Sequence, residues 1–365
     1  MIRAEDYPNV LQPFKPDFEG LLADIRREGT PKRVFNMELF LDGEMQQAMD
    51  EIFGISKDLD RSDPDFDKRF NIAWRRFLGY DYVSVAVEGV EMPIKHNWAD
   101  DTTEELSRKQ GRAWVDEGRG LITNWEEFEK YPWPDYSKIR TDTIEWYLKN
   151  LPDDMGIAAH MSHYCEYICW LMGYESACYA LYDQRDLVQA IYDKIMERER
   201  ASIETFLQFD RIRIIWASDD MGYKTGTMFA PTDMKEFVLS GHKAMAKIAH
   251  DAGRLYLLHA CGDRSKIMED LIEDVKLDAI HSFEDVIEPV IDAKKKWGDR
   301  LAILGGIDVD FLCRATPEEI RKRTRETLDA CLPGGGYALG SGNSVANYIP
   351  PRNYLAMLDE GRGYA

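Results

Sequence analysis

The 365-residue sequence predicts an α/β protein, a (β/α)8 TIM barrel in a single domain over residues 1–365. Three observations carry that reading. Eight short apolar runs recur along the chain, most of them separated by stretches with helical spacing. The runs end on polar residues of chemical interest, as strands of such barrels do at their active face. No Gly-x-Gly-x-x-Gly follows the first run, which argues against the rival doubly wound sheet.

Residues 1–30 read as an N-terminal cover, with Phe18, Leu21, Leu22 and Ile25 at helical spacing before Gly29-Thr30-Pro31. The runs then follow in order: 33–40, 81–88, 156–161, 211–220, 254–262, 277–284, 301–308 and 337–343. Helical patterns fill 237–252, 263–275 and 317–331. The last of these starts at Thr316-Pro317-Glu318-Glu319, a capping residue, a proline in the first turn and acids at the positive end of the helix dipole. Residues 89–155, between the second and third runs, are too long for one crossover and are rich in Trp, Pro and acid. We read them as an insertion, a lid over the barrel mouth.

Net charge is −20 and the sequence pI is near 4.8, so nucleic acid is excluded as a partner for want of a basic face. The six cysteines form no Cys-x-x-Cys and no secreted disulfide pattern. No apolar stretch approaches membrane-span length, so no membrane partner is expected, and the composition suits a reduced cytoplasmic protein.

The chemistry gathers at the run ends. His259 and Cys261 are two apart at the end of the fifth run, so on a strand they share a face, and both suit a borderline-soft ion such as zinc. The plain alternative is a buried cysteine beside a core histidine. Asp219 and Asp220 are the general acid/base candidates, since paired carboxylates can hold a proton near neutrality; as strand-end acids they can equally cap the following loop. His160 ends the third run and joins them as a catalytic candidate, with Tyr164 just beyond it able to contact a flat substrate or to pack in the core. Glu38, Glu88, His281, Glu284, Asp308 and Asn343 complete the set.

Several stretches together resemble the uroporphyrinogen decarboxylase superfamily. They are His259-Ala260-Cys261-Gly262, Asp219-Asp220-Met221-Gly222-Tyr223 with the later Pro231, Gly305-Gly306-Ile307-Asp308, Thr316–Ile320, and Gly334-Gly335-Gly336-Tyr337 through Pro350-Pro351. The resemblance covers roughly residues 30–360 and is strongest after 205. It implies a (β/α)8 barrel and either a decarboxylase or a zinc methyltransferase that serves corrinoid proteins and thiols such as coenzyme M.

The family's decarboxylases place arginines for a polyanionic substrate just after the first strand. Here that position reads Asn36-Met37-Glu38-Leu39-Phe40-Leu41-Asp42, acidic instead. The methyltransferases hold zinc with a His-x-Cys pair and a later Cys. His259 and Cys261 match the pair, and Ser341 stands where the later Cys would be. The expected function is therefore a corrinoid-linked methyltransferase acting on a thiol or a methylated small molecule, with a corrinoid protein as partner. The alternatives are a metal-independent decarboxylase for a substrate smaller than uroporphyrinogen, or a non-catalytic relative that binds a small ligand; a homodimer is compatible with each. Zinc binding is expected to be weak, with Glu38 as third ligand, and Ser341→Cys to strengthen it. Glu38, Tyr164, Ser341 and Asn343 are the expected substrate contacts.

Overall fold

The computed structural model describes residues 2–364 apart from 104, 109, 110, 119 and 162. Seven of the eight runs form one parallel sheet. Its strands are β1 (Tyr82–Val85), β2 (Gly156–Met161), β3 (Ile212–Ser218) and β4 (Leu255–His259), then β5 (Ala279–His281), β6 (Ala302–Leu304) and β7 (Tyr337–Ala338). Each pairs with the next in chain order. Consecutive parallel strands joined by helical crossovers curl the sheet in the manner of a TIM barrel. β4 is buried at every position, as its unbroken apolar run requires of a strand covered on both faces.

The first run departs from expectation. Residues 33–40 form no continuous ladder, only isolated parallel bridges, Asn36 with Leu339 and Leu41 with Val345. Met37 N–H donates to the Leu339 carbonyl at 2.9 Å and Leu339 N–H to the Phe35 carbonyl at 2.8 Å, which places this segment beside β7. On the β1 side a side chain replaces the ladder. The buried Tyr82 hydroxyl accepts from Glu38 N–H at 3.2 Å and donates to the Glu38 carbonyl at 3.0 Å. One phenol thus satisfies both backbone groups of the residue that a neighbouring strand would otherwise have to pair.

Register sets the site. Ser218 lies opposite His259, His259 opposite His281, and His281 opposite Leu304. These residues stand abreast at the C-terminal ends of β3 to β6, one strand spacing of about 4.8 Å apart. Beyond β6 the chain turns through Gly305 and Gly306, at φ 73° and 99°. A Cβ on Gly305 would lie 2.7 Å from His281 Nε2, so only glycine lets the imidazole reach its partner across this turn.

The helix at Pro317–Cys331 starts as its sequence predicts. Thr316 Oγ1 accepts from Glu319 N–H while the Glu319 carboxylate accepts from Thr316 N–H at 2.8 Å, a complete capping box. Residues 89–155 hold an antiparallel hairpin (His96–Ala99 with Arg112–Val115) and the helices Trp125–Lys130 and Asp142–Asn150. The hairpin region is tied to the strand-end face: Arg108 pairs with Asp42 and Glu44, and Asn347 Nδ2 donates to Asp101 at 2.8 Å. Among the described residues no helix is long and apolar enough to cross a membrane.

Candidate active site

His259 is the last residue of β4, and Cys261 lies two residues beyond it. Their Nε2 and Sγ atoms lie 3.4 Å apart. Asp220, two residues past β3, joins them: its Oδ1 is 4.0 Å from His259 Nε2 and accepts from Cys261 N–H at 3.2 Å. The ligand atoms of Asp220, His259 and Cys261 all lie within 4.8 Å of one another. Gly262, at φ 88°, allows the approach. A Cβ there would overlap the Gly222 backbone, which belongs to the turn after Asp220.

The tautomers follow from the partners. His281 Nε2 lies 3.3 Å from the Ser341 backbone carbonyl, which can only accept, so Nε2 carries the proton. Burial pushes the His281 pKa down to about 4, so the ring is neutral and its Nδ1 is bare. His259 Nδ1, 2.7 Å away, must then donate to it. Burial above all, and then the neighbouring His281 ring and Arg264 guanidinium, hold His259 well below the usual imidazole range. Its Nε2 therefore presents a lone pair toward Cys261 and Asp220. This is the state a metal-ligating histidine needs, fixed by a hydrogen bond on its other nitrogen.

Cys261 Sγ accepts from Asn343 Nδ2 at 3.2 Å and from Ser282 Oγ at 3.7 Å. Ser282 holds a left-handed φ of 87°, strained for a residue with a Cβ. Arg264 clamps both turns. Its guanidinium donates to the Ala260 carbonyl and, at 2.8 Å, to the Ser282 carbonyl. Burial, and next the Asp220 charge, push the Cys261 thiol pKa up. Burial, and next Glu166, raise Asp220. Two acidic ligands that resist ionisation side by side are what a bound cation would relieve. The donor types fit zinc: a tetrahedral ion with about 2.0–2.3 Å bonds to N, O and S spaces its ligands roughly 3.3–3.6 Å apart. His259 and Cys261, at 3.4 Å, are at that spacing, while Asp220, 4.0 Å from His259, would have to move inward by about half an ångström to join them.

The other expected residues fall into different places. Glu38, expected to complete the metal site, does not. It is fully occupied by Ser341, whose N–H donates to Oε1 at 2.7 Å and whose hydroxyl donates to Oε2 at 2.6 Å. Burial nevertheless pushes the Glu38 pKa up to about 8. Ser341 is likewise buried, turned toward Glu38, with the His281 ring between its carbonyl and His259. Asp219, a proposed acid/base, is fully buried and accepts from the backbone N–H groups of Tyr164, Cys165 and Glu166, each at 3.0 Å, and from His242 Nε2 at 3.1 Å. It caps the helix Tyr164–Met172 and has no free lone pair for catalysis. Tyr164, an expected substrate contact, is buried in the core against His242 and Tyr192.

His160 stacks on Trp216 at 5.1 Å and lies 3.1 Å from Ser84 Oγ; burial pushes its pKa down to about 3. Two cavities flank the triad. One, of about 640 Å3, includes His160, His163 and Ser218 in its wall. The other, of about 840 Å3, includes Asn343, Glu284 and Asp308. Neither wall includes His259 or Cys261. Asp220, its side chain 43% exposed, is the open edge of the triad. His242, Ser282 and Arg264 were missed as supports, while His281 stood among the candidates through its place at a run end.

The profile described as uroporphyrinogen decarboxylase (URO-D) matches residues 119–364, well over half of the chain. Among curated proteins none matches. Of solved structures, a methyltransferase from Methanosarcina mazei superposes with a TM-score of 0.67 at 16% identity, over 95% of this chain and 98% of that one. At that identity the likeness speaks for the fold. A candidate vitamin-B12 independent methionine synthase from Listeria monocytogenes reaches a TM-score of 0.42 at 12% identity, over 90% of this chain and 95% of its own, too distant for its chemistry to bear on this one. The chain belongs to the uroporphyrinogen decarboxylase family.

Proposed function

We propose that the protein is a zinc-type methyltransferase that passes a methyl group between a corrinoid protein and a small thiol or methylated compound. The observation that carries this reading is the Asp220–His259–Cys261 set, whose donor atoms gather within 4.8 Å at the strand ends. The resemblance seen in the sequence, which implies either a decarboxylase or a zinc methyltransferase, supports it, and so does the name of the Methanosarcina mazei neighbour. In this reading residues 33–40 close the curled sheet into a (β/α)8 barrel in one domain, and 89–155 cover its mouth.

Asp220, His259 and Cys261 would hold the zinc, which supplies a Lewis acid that lowers the pKa of a substrate thiol. The chain's own groups prepare the site. His281 keeps the His259 Nε2 lone pair aimed at the ligand cluster. Asn343 and Ser282 direct N–H and O–H donors at Cys261 sulfur, which favours its ionised form. Glu38 and Ser341 fix the carbonyl on which His281 rests. Uroporphyrinogen is a poor match, because the acidic segment after the first run stands where the family's decarboxylases place arginines.

The test uses zinc-loaded protein, methylcobalamin and a panel of small thiols, with methyl thioether followed by mass spectrometry. Thioether with at least one thiol, lost in Cys261→Ser, is expected. No thioether with any thiol, together with conversion of uroporphyrinogen to coproporphyrinogen, would return the protein to the decarboxylases.

A further inference from the structure

The 640 Å3 cavity abuts the triad, because Ser218 in its wall is the register partner of His259. Among the described residues its charged groups are matched with one exception, while His160 and Tyr147 rest on the neutral Ser84 and Asn71. Arg198 pairs with Glu199. Glu88 is held by Arg140 and Thr143, each at 2.8 Å. His163 lies 2.6 Å from Glu166. Arg75 differs. It is 6% exposed, and among the described residues every group it bonds is neutral: Asn71 Oδ1 at 3.0 Å, the Tyr82 carbonyl at 3.4 Å and Ser84 Oγ at 3.3 Å. The two bonds from its terminal nitrogens are long for N–H···O, so the fork is underused.

A buried guanidinium without a counter-charge is costly, and rings alone rarely repay it, although Arg75 lies 4.7 Å from the Trp74 ring centre and 5.3 Å from that of Tyr82. Arg264, the other buried arginine on neutral acceptors, is no parallel. Its fork is committed to two backbone carbonyls, and neither flanking cavity includes it in its wall. In a chain of net charge −20, a positive charge kept at a cavity wall beside the reacting corner calls for an anion from outside.

We propose that this cavity binds the carboxylate of the small substrate on Arg75. One unmatched charge suits a monoanion, and a planar carboxylate matches the guanidinium fork with two parallel hydrogen bonds. Ser84 Oγ lies between Arg75 Nη2 and His160 Nε2, and so sets both groups at the same wall. The substrate is thus a thiol or methylated compound carrying a carboxylate, with its reacting end toward Ser218 and the triad. The thiol half of this statement rests on the function proposed above; the carboxylate half does not.

The experiment is calorimetric titration of the full chain with 3-mercaptopropionate and 6-mercaptohexanoate, each against its mercapto-alcohol of equal length. At least one acid is expected to bind about tenfold or more tightly than its alcohol, the factor a charge-assisted hydrogen bond supports. Arg75→Gln is expected to bring the pair within about twofold, and Arg75→Lys, which keeps the charge but not the fork, to retain part of the preference. If Arg75→Gln does not fold, Arg75→Lys decides, and an undiminished preference there overturns the proposal. Cys261→Ser is expected to weaken acid and alcohol alike while keeping their ratio. Equal affinities in the wild type, a preference that survives Arg75→Gln, or one that disappears in Cys261→Ser would each overturn the anion site. A preserved ratio without any methyl transfer would leave the site standing and sink only the methyltransferase reading.

Discussion

Two corners of the strand-end face bring a carboxylate to a small polar side chain, and they come out differently. At the first corner Glu38 meets Ser341 between the first run and the last strand. Both are buried, and each carboxylate oxygen takes one Ser341 donor. At the second, Asp220 meets Cys261 and His259. There the carboxylate is 43% exposed, and the imidazole turns an unprotonated nitrogen toward the thiol. By residue type the first corner matched the sequence's expectation for a third metal ligand. Geometry favours the second, because a ligand needs a free lone pair and a way in, and the first corner has neither. A residue's chemistry is set by what its neighbours leave unused.

The comparison can be broken most sharply at the second corner. Cys261→Ala is expected to lower the methyl-transfer rate by more than about 100-fold, beyond the 10–100-fold typical of losing an outer-shell partner. A steady-state assay on folded, zinc-supplemented protein checks this, and a variant within tenfold of wild type would remove Cys261 from the machinery. Asp219→Asn separates two adjacent acids. Asp219 holds three backbone N–H groups and His242 out of water, so its loss is expected to destabilise the fold by about 2–4 kcal/mol in urea unfolding while leaving metal affinity nearly unchanged. Weaker metal binding with full stability would instead return Asp219 to the site.

The next two tests address the first corner. Ser341→Cys restores the residue type of the family's zinc methyltransferases. The sequence alone predicts tighter zinc binding; the structure turns Ser341 to Glu38 and places the His281 ring between it and His259. We therefore expect a change in zinc affinity under about twofold and a loss of about 1 kcal/mol of stability from the missing O–H donor. The last test concerns pH. Burial raises Glu38 to about 8, so the folded state holds its proton where the unfolded state has lost it, and stability falls as pH rises from about 4.5 toward 8. Glu38→Gln is expected to flatten that part of the stability–pH curve, as read from melting temperatures; an unchanged slope would mean that Glu38 ionises normally.

Much of the scaffold was legible because apolar runs report burial directly. Run 156–161 coincides with β2, and the capping box at Thr316 and Glu319 forms as written. The first run was less so. Its pairing with β1 is replaced by a hydroxyl from Tyr82, a contact across 44 residues that periodicity cannot show. At the site, His259 and Cys261 were legible through their spacing on one strand. Their third partner comes from the end of the neighbouring strand, and the choice between Asp219 and Asp220 turns on which one faces the start of the helix at Tyr164. Arg75 gave no signal, since an arginine beside Arg76 in an amphipathic helix reads as a solvated residue until its burial is known.

The central claim is that Asp220, and not Glu38, completes a metal site with His259 and Cys261. Titration with cobalt(II), followed by its sulfur-to-metal charge-transfer and ligand-field absorption, tests it most directly. The account predicts a thiolate-bound, four-coordinate spectrum in the wild type, kept in Glu38→Gln and lost in Asp220→Asn and Cys261→Ser. A spectrum that survives Asp220→Asn but vanishes in Glu38→Gln would contradict it.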